Sequence, residues 1–210
     1  MQHAFSHPFT GLLARLAGRR PNAAAESRIS PRRLRTLAQS AAAELAAKLL
    51  CAPTALMQLS QEEALAVVAY MRPHRIPEGQ MFIREGDDSN TDFMLLVLHG
   101  EVTVESTIAS RDDPITVTVL GAGSLIGEIG LIDGSPRSAS CTATSDLQCA
   151  KLTRDGLSDL LDADPRTAAK LMMAISHRIA QRMRATQGKL KLYAQLTQAM
   201  NEEINDLLPR

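Results

Sequence analysis

The residues best suited to chemistry in this chain lie between Gly127 and Ser140, in the run GEIGLIDGSPRSAS. A glutamate, Glu128, follows Gly127 directly; an apolar turn comes next, and Arg137 stands nine residues beyond the glutamate. Small residues surround that arginine: Ser135, Pro136, Ser138, Ala139 and Ser140. A short helical turn beginning near Gly127 would aim unpaired backbone N–H groups at an anion. Arg137 could reach the same anion with a planar, permanently charged fork. Glu128, acceptor-only when ionised, would repel a phosphate but take hydrogen bonds from a sugar hydroxyl. The small residues leave room for a ligand to lie against the backbone. Alone, Arg137 reads as a surface arginine and Glu128 as a loop acid. Together, beside Gly127, Gly130 and Ala139, they read as a ligand cassette that suits a small cyclic phosphate attached to a sugar. Ser138 either binds the phosphate or caps the turn.

The run resembles the cyclic-nucleotide-binding domain family, whose phosphate-binding cassette reads G-E-x-[AG]-L, a short spacer, then R-[STA]-A. Gly127, Glu128, Ile129, Gly130, Leu131, Arg137, Ser138 and Ala139 fill those positions in order. The resemblance extends from about Ser60 to about Arg184 and includes IPEGQMFIREGD (76–87), LLVLHGEVTV (95–104) and LGAGSLIGE (120–128). It implies an α+β fold: a double-stranded β-helix, the jelly-roll-like β-roll of eight strands, flanked by N-terminal helices and a long C-terminal helix. It also implies cAMP or cGMP as ligand, with the cyclic phosphate on Arg137 and the ribose on Glu128. Family domains of the bacterial activator type often finish the pocket with polar residues of the long helix, some from a partner subunit. RMRATQGKL (182–190) is similar to that stretch, so Thr186 is a further ligand candidate, with Arg182 and Gln187 beside it.

Three segments must position these residues: an N-terminal helical extension with a linker (1–55), the roll (56–164) and a long helix (165–210). In the first, Phe5, Phe9, Leu12, Leu13, Leu16 and Ala17 have helical spacing ahead of Arg19 and Arg20. That segment suits a membrane surface or a partner groove, or simply packs on its own domain. Pro21 to Pro31 reads as a linker, and the Ala-rich stretch from Arg32 to Leu50 as a helix. Ser60 and Glu63 have capping-box spacing for a second helix running to Met71 and ended by Pro73. MLLVLH, EVTVES, ITVTVL and LQCAKL read as strands, and Arg111 to Pro114 as a turn. A short helix is expected over Asp155–Leu161; Asp164 then caps the long one, with Pro165 at its first position.

Along the long helix, Ala169, Ser176, Met183, Leu190, Thr197 and Ile204 fall on one heptad position. Met172, Ile179, Thr186, Tyr193, Met200 and Leu207 fall on the partner position. Such a seam predicts a parallel homodimer. Thr186 is a poor core residue on it, which favours a ligand contact.

Length permits one sizeable core with extensions or two small ones. Aromatic residues make up 3% and tryptophan is absent, which argues against stacked single-stranded nucleic acid. The formal charge is zero, yet residues 1–36 carry seven arginines against Glu26, so the remainder is acidic. Cys51, Cys141 and Cys149 are too few and scattered for a disulfide framework or a thiolate metal site. The five histidines show no paired metal spacing, so no metal is expected. Neither a signal-peptide pattern nor a transmembrane segment is evident, so a cytoplasmic location is expected. About twenty residues follow RMRATQGKL, too few for a recognition helix, and no sequence-specific DNA binding is expected.

The expected function is that of a bacterial regulator: a stand-alone cyclic-nucleotide sensor, with cAMP ahead of cGMP, signalling to an unknown effector protein by a conformational shift. A cyclic dinucleotide is not separated from these ligands by sequence. Two alternatives stand beside it: a ligand-independent interaction scaffold on the same fold, and a regulator associated with nucleic acid through its basic N-terminus. No nucleophile–base pairing suggests an enzyme.

Overall fold

The computed structural model describes residues 40–53, 55–56, 58–106 and 115–207. The amphipathic segment at 1–20, the linker, the start of the Ala-rich helix and the turn at 111–114 lie outside the described residues. By internal contacts the chain divides into two compact units, one ending at Ala174 and the other starting at Ile175.

Helix α1 (Ala41–Leu50) buries Ala43, Ala46, Ala47 and Leu50, spaced as one helical stripe. Helix α2 (Gln61–Val68) opens on the expected capping box. The Glu63 N–H donates to Ser60 Oγ at 3.2 Å, and the Ser60 N–H to Glu63 Oε2 at 3.0 Å. It ends earlier than the apolar pattern suggests. The N–H groups of Tyr70 and Met71 turn to Val67 O and Val68 O, each at 3.0 Å, tightening the chain out of the α-helix at Val68. Pro73 is therefore not the helix breaker; it lies inside the first strand.

Eight strands follow: β1 (Arg72–Ile76), β2 (Met81–Ile83), β3 (Phe93–His99), β4 (Val102–Ser106), β5 (Ile115–Leu120), β6 (Leu125–Ile126), β7 (Ser140–Ala143) and β8 (Leu147–Thr153). The four runs read as strands in the sequence match β3, β4, β5 and β8 to within a residue. All pairings are antiparallel, in two four-stranded sheets ordered β1-β8-β3-β6 and β2-β7-β4-β5. Pro73 faces Ala150 on β1, an edge strand paired only with β8, where its missing N–H costs no central ladder bond.

Side chains alternate along each strand, so one set fills the roll. Ile76, Ile83, Phe93, Leu95, Val97, Val102, Val104, Ile126, Cys141, Ala143, Leu147 and Cys149 form that core. Met94 and Leu96, on the other face of β3, are also fully buried, and α1 packs on this strand. Cys141 and Cys149 are free, buried thiols, and burial pushes that of Cys149 up to about 11. The result is the expected β-roll with helices before it and a long helix after it.

Between β6 and β7 lies the one-and-a-half-turn helix α3 (Glu128–Asp133), and after β8 comes α4 (Arg154–Ala163). Thr153 Oγ1 caps α4 by accepting the Gly156 N–H at 3.2 Å. Asp164 caps the long helix α5 (Pro165–Leu207), its Oδ1 accepting the Thr167 N–H at 3.0 Å. Thr167, Ala168, Leu171, Ala174 and Ile175 are buried, whereas the helix is exposed from Gln181 through Ile204. No helix among the described residues is long and apolar enough to cross a membrane.

Candidate functional site

Two glycines in the left-handed region bracket α3: Gly127 at φ 82° and Gly134 at φ 70°. Residues with a Cβ are strained there, so the sequence starts and stops this helix with the residue that is not. The Leu131 N–H returns to Gly127 O at 3.2 Å, and the Gly134 N–H to Gly130 O at 2.9 Å. Glu128, Gly130 and Leu131 are buried, with Ile129 half-buried between them.

Arg137 lies on the extended stretch after α3, and its backbone is anchored to the loop before β3. Its N–H donates to Asp87 O at 2.9 Å, and its carbonyl accepts the Gly86 N–H at 2.8 Å. The side chain runs inward and is only 5% exposed. Nε and Nη2 donate to Asn90 O at 3.1 and 2.7 Å, Nη2 also to Phe93 O at 3.2 Å, and Nη1 to Gly127 O at 3.0 Å. These bonds engage four of the five N–H groups a guanidinium carries. The guanidinium carbon lies 4.5 Å from the centre of the Phe93 ring, and Lys151 Nζ lies 4.0 Å from the same centre.

Burial pulls the Arg137 pKa below its ordinary value, while Cys141, Asp87, Asp92 and Glu128 act in the opposite sense. A guanidinium remains charged at neutral pH regardless. Glu128 is 2% exposed, so two opposite charges sit inside one small region, where each depends on the partners around it.

The cassette glycines have a concrete role. A Cβ on Gly127 would come within 2.7 Å of Arg137 Nη1 and 3.1 Å of Phe93 O. One on Gly130 would come within 3.0 Å of the same nitrogen. Both positions lack side chains because the arginine passes between them. Ser138 is exposed, and Ala139 packs against the roll core. Ser140 opens β7, its hydroxyl accepting the Glu85 N–H at 3.0 Å. The structure thus gathers Gly127, Glu128, Ile129, Gly130, Arg137, Ser138 and Ala139 into one stretch around α3.

Arg182, Thr186 and Gln187 belong to the second unit and are exposed there. The Thr186 hydroxyl donates to Arg182 O at 3.0 Å, and Thr197 does the same to Tyr193 O at 2.9 Å. Such bonds to the preceding turn satisfy a helical threonine locally.

The sequence reading missed a second arginine. Arg154 donates through Nη2 to Gly130 O at 2.9 Å and through Nε to Leu131 O at 3.3 Å. It also missed the segment Asn90–Phe93, which holds Arg137 through main-chain carbonyls. Carbonyls carry no residue signature, so no motif marks either feature.

Residues 73–164 match the family profile described as the cyclic nucleotide-binding domain. The chain is 31% identical over 121 residues to a cyclic nucleotide-gated potassium channel of Rhizobium etli, covering 58% of this chain and 32% of that one. It is 29% identical, also over 121 residues, to the cyclic AMP receptor protein of Thermus thermophilus, covering 58% of this chain and 55% of that one. The chain therefore spans about half or less of each of these relatives. The crystal structure of a cyclic nucleotide-binding domain from Methylobacillus flagellatus aligns with a TM-score of 0.61 at 30% identity, covering 72% of this chain and 83% of that one.

Proposed function

Because the chain belongs to the cyclic nucleotide-binding domain family, we propose that it is a sensor of a purine cyclic mononucleotide, cAMP in preference to cGMP. Arg137 takes the cyclic phosphate, helped by Ser138, and Glu128 takes the ribose 2′-hydroxyl. Gly127, Ile129, Gly130 and Ala139 shape the wall between them. The observation that carries this reading is the burial of Glu128 and Arg137 together at a helix entrance cleared of side chains by Gly127 and Gly130.

The chemistry is an exchange of partners. Neutral carbonyls of Asn90 and Phe93 hold the guanidinium. A phosphate diester is an anion, so it offers the guanidinium a full opposite charge and a bidentate fit where the carbonyls offer only dipoles. An incoming cyclic phosphate competes for the same N–H groups and loosens Arg137 from the loop before β3. That redistribution is the conformational shift passed to an effector protein.

At the base end, Thr186 reads adenine, with Arg182 and Gln187 nearby on the helix. Its hydroxyl proton is given to Arg182 O, which leaves the oxygen to accept from an adenine amino group. We propose a parallel homodimer through α5, supported by the exposure of Met183, Leu190, Tyr193, Met200 and Ile204 on the heptad seam. On this reading residues 1–55 are an extension, 56–164 the sensor and 165–210 the dimerising helix of a cytoplasmic, non-enzymatic regulator.

Calorimetric titration of the full chain with cAMP, cGMP and a cyclic dinucleotide tests the reading. Saturable heat with a mononucleotide supports it. Silence with all three overturns it in favour of a scaffold.

A further inference from the structure

Resting on the sensor reading above, we propose that Arg154 is a positioning residue that couples the cassette helix α3 to α4 and, through Asp164, to the start of α5. A helix of six residues is not stable by itself, so contacts at its two ends decide where it sits. At its first turn Arg137 holds Gly127 O. At its last turn Arg154 holds Gly130 O, which also accepts the closing Gly134 N–H, and Leu131 O with one guanidinium. The C-terminal Gly134 sits under the same group, since a Cβ there would lie 3.4 Å from Arg154 Nη2.

Arg154 is also the first residue of α4, and its own N–H donates to Asp92 O at 2.7 Å. Asn90 O and Phe93 O are the acceptors of Arg137. The two arginines therefore share one four-residue segment, and both grip α3. When a phosphate draws Arg137 away, Arg154 still holds both α3 and that segment to the first residue of α4. Between α4 and α5 there is no loop to absorb movement. The Asp164 N–H closes α4 on Leu160 O at 2.8 Å, while its carbonyl accepts the Ala168 N–H of α5 at 3.0 Å. A shift of the cassette is thus delivered to residues 165–168 by one guanidinium and one shared residue. Lysine cannot substitute, because an ammonium lacks the fork that spans two carbonyls.

The test uses the full chain as parent, R154M and R154K. Cyclic AMP binding is measured by calorimetry, and hydrogen exchange is followed by mass spectrometry in peptides covering 127–134 and 154–168. In the parent, cAMP changes exchange in both peptides. R154M is expected to bind cAMP within about tenfold of the parent and to keep the response of 127–134, but to lose the response of 154–168. Without nucleotide, exchange of 127–134 in R154M rises by about tenfold or more, since the two charged hydrogen bonds to Gly130 O and Leu131 O are lost. R154K is expected to follow R154M, and it carries the test should R154M fail to fold. A cAMP response of 154–168 that survives in these variants would overturn the coupling while leaving the sensor intact. A parent chain that binds no cyclic nucleotide would overturn both.

Discussion

Gly130 and Arg137 are matched by exclusion: a methyl group on the glycine would stand 3.0 Å from Nη1 of the arginine and 3.2 Å from the Thr91 carbonyl. Glycine inside a helix ordinarily costs about 0.5–1 kcal/mol relative to alanine. Here the sign reverses, because Arg137 is tied by four hydrogen bonds and a backbone carbonyl cannot retreat alone. Gly130→Ala should destabilise the chain by about 1–3 kcal/mol, the usual range for overpacking, as read by urea denaturation. An alanine variant more stable than the parent would mean that the guanidinium yields easily.

Arg137→Ala should weaken cAMP binding by roughly 2–5 kcal/mol, the range for truncating one member of a buried charged set. It should also lower stability, since the carbonyls of Asn90, Phe93 and Gly127 lose a shared donor. Full affinity by calorimetry in this variant would remove Arg137 from the site.

Glu128→Gln should reduce affinity for cAMP but leave affinity for 2′-deoxy-cAMP nearly unchanged. The double comparison isolates the hydroxyl contact from any general disturbance of this buried residue. Equal losses for the two ligands would assign Glu128 a purely structural part.

On α5, Leu190→Glu should convert a dimer to a monomer in light scattering, since it places a charge on an apolar seam. Thr186→Val should weaken cAMP binding and leave the dimer intact or firmer, because valine suits the seam better. Undiminished binding by Thr186→Val would move the base contact to Arg182 or Gln187.

Asp164 makes stability pH-dependent. Hydrogen bonds from Thr167, and then the neighbouring Arg166, hold its carboxyl below the ordinary value. A carboxylate depressed in the folded state contributes stability above its unfolded value, about pH 4, and loses it as pH falls through the folded value. Asp164→Asn should flatten that acid limb in thermal melts at successive pH values while keeping the cap. Asp164→Ala should cost about 0.5–2 kcal/mol at neutral pH.

Local chemistry made much of this molecule legible from residue types. Ser60 with Glu63, and Asp164 with Pro165, announce helix starts because capping depends on side chains a few positions away. The strands are visible through alternation, and the cassette through its glycines. Pro73 misled, because the same missing N–H that ends a helix is equally tolerated on an edge strand. Arg154 stayed invisible for a different reason. Its partners are carbonyls 23 and 24 residues earlier, and any residue type would supply them. Where binding runs through main chain, only the fold reveals it.

Two of the edge strands, β1 and β5, differ in how they resist aggregation. β1 presents exposed Arg72, Pro73, His74 and Arg75 along its free side, a margin that discourages a foreign strand from adding. β5, one of the two edge strands of the other sheet, shows Val117 and Val119 at 53% and 56% exposure. Under heat or long storage, strand addition is expected at β5 before β1, and a lysine at Val117 should suppress it.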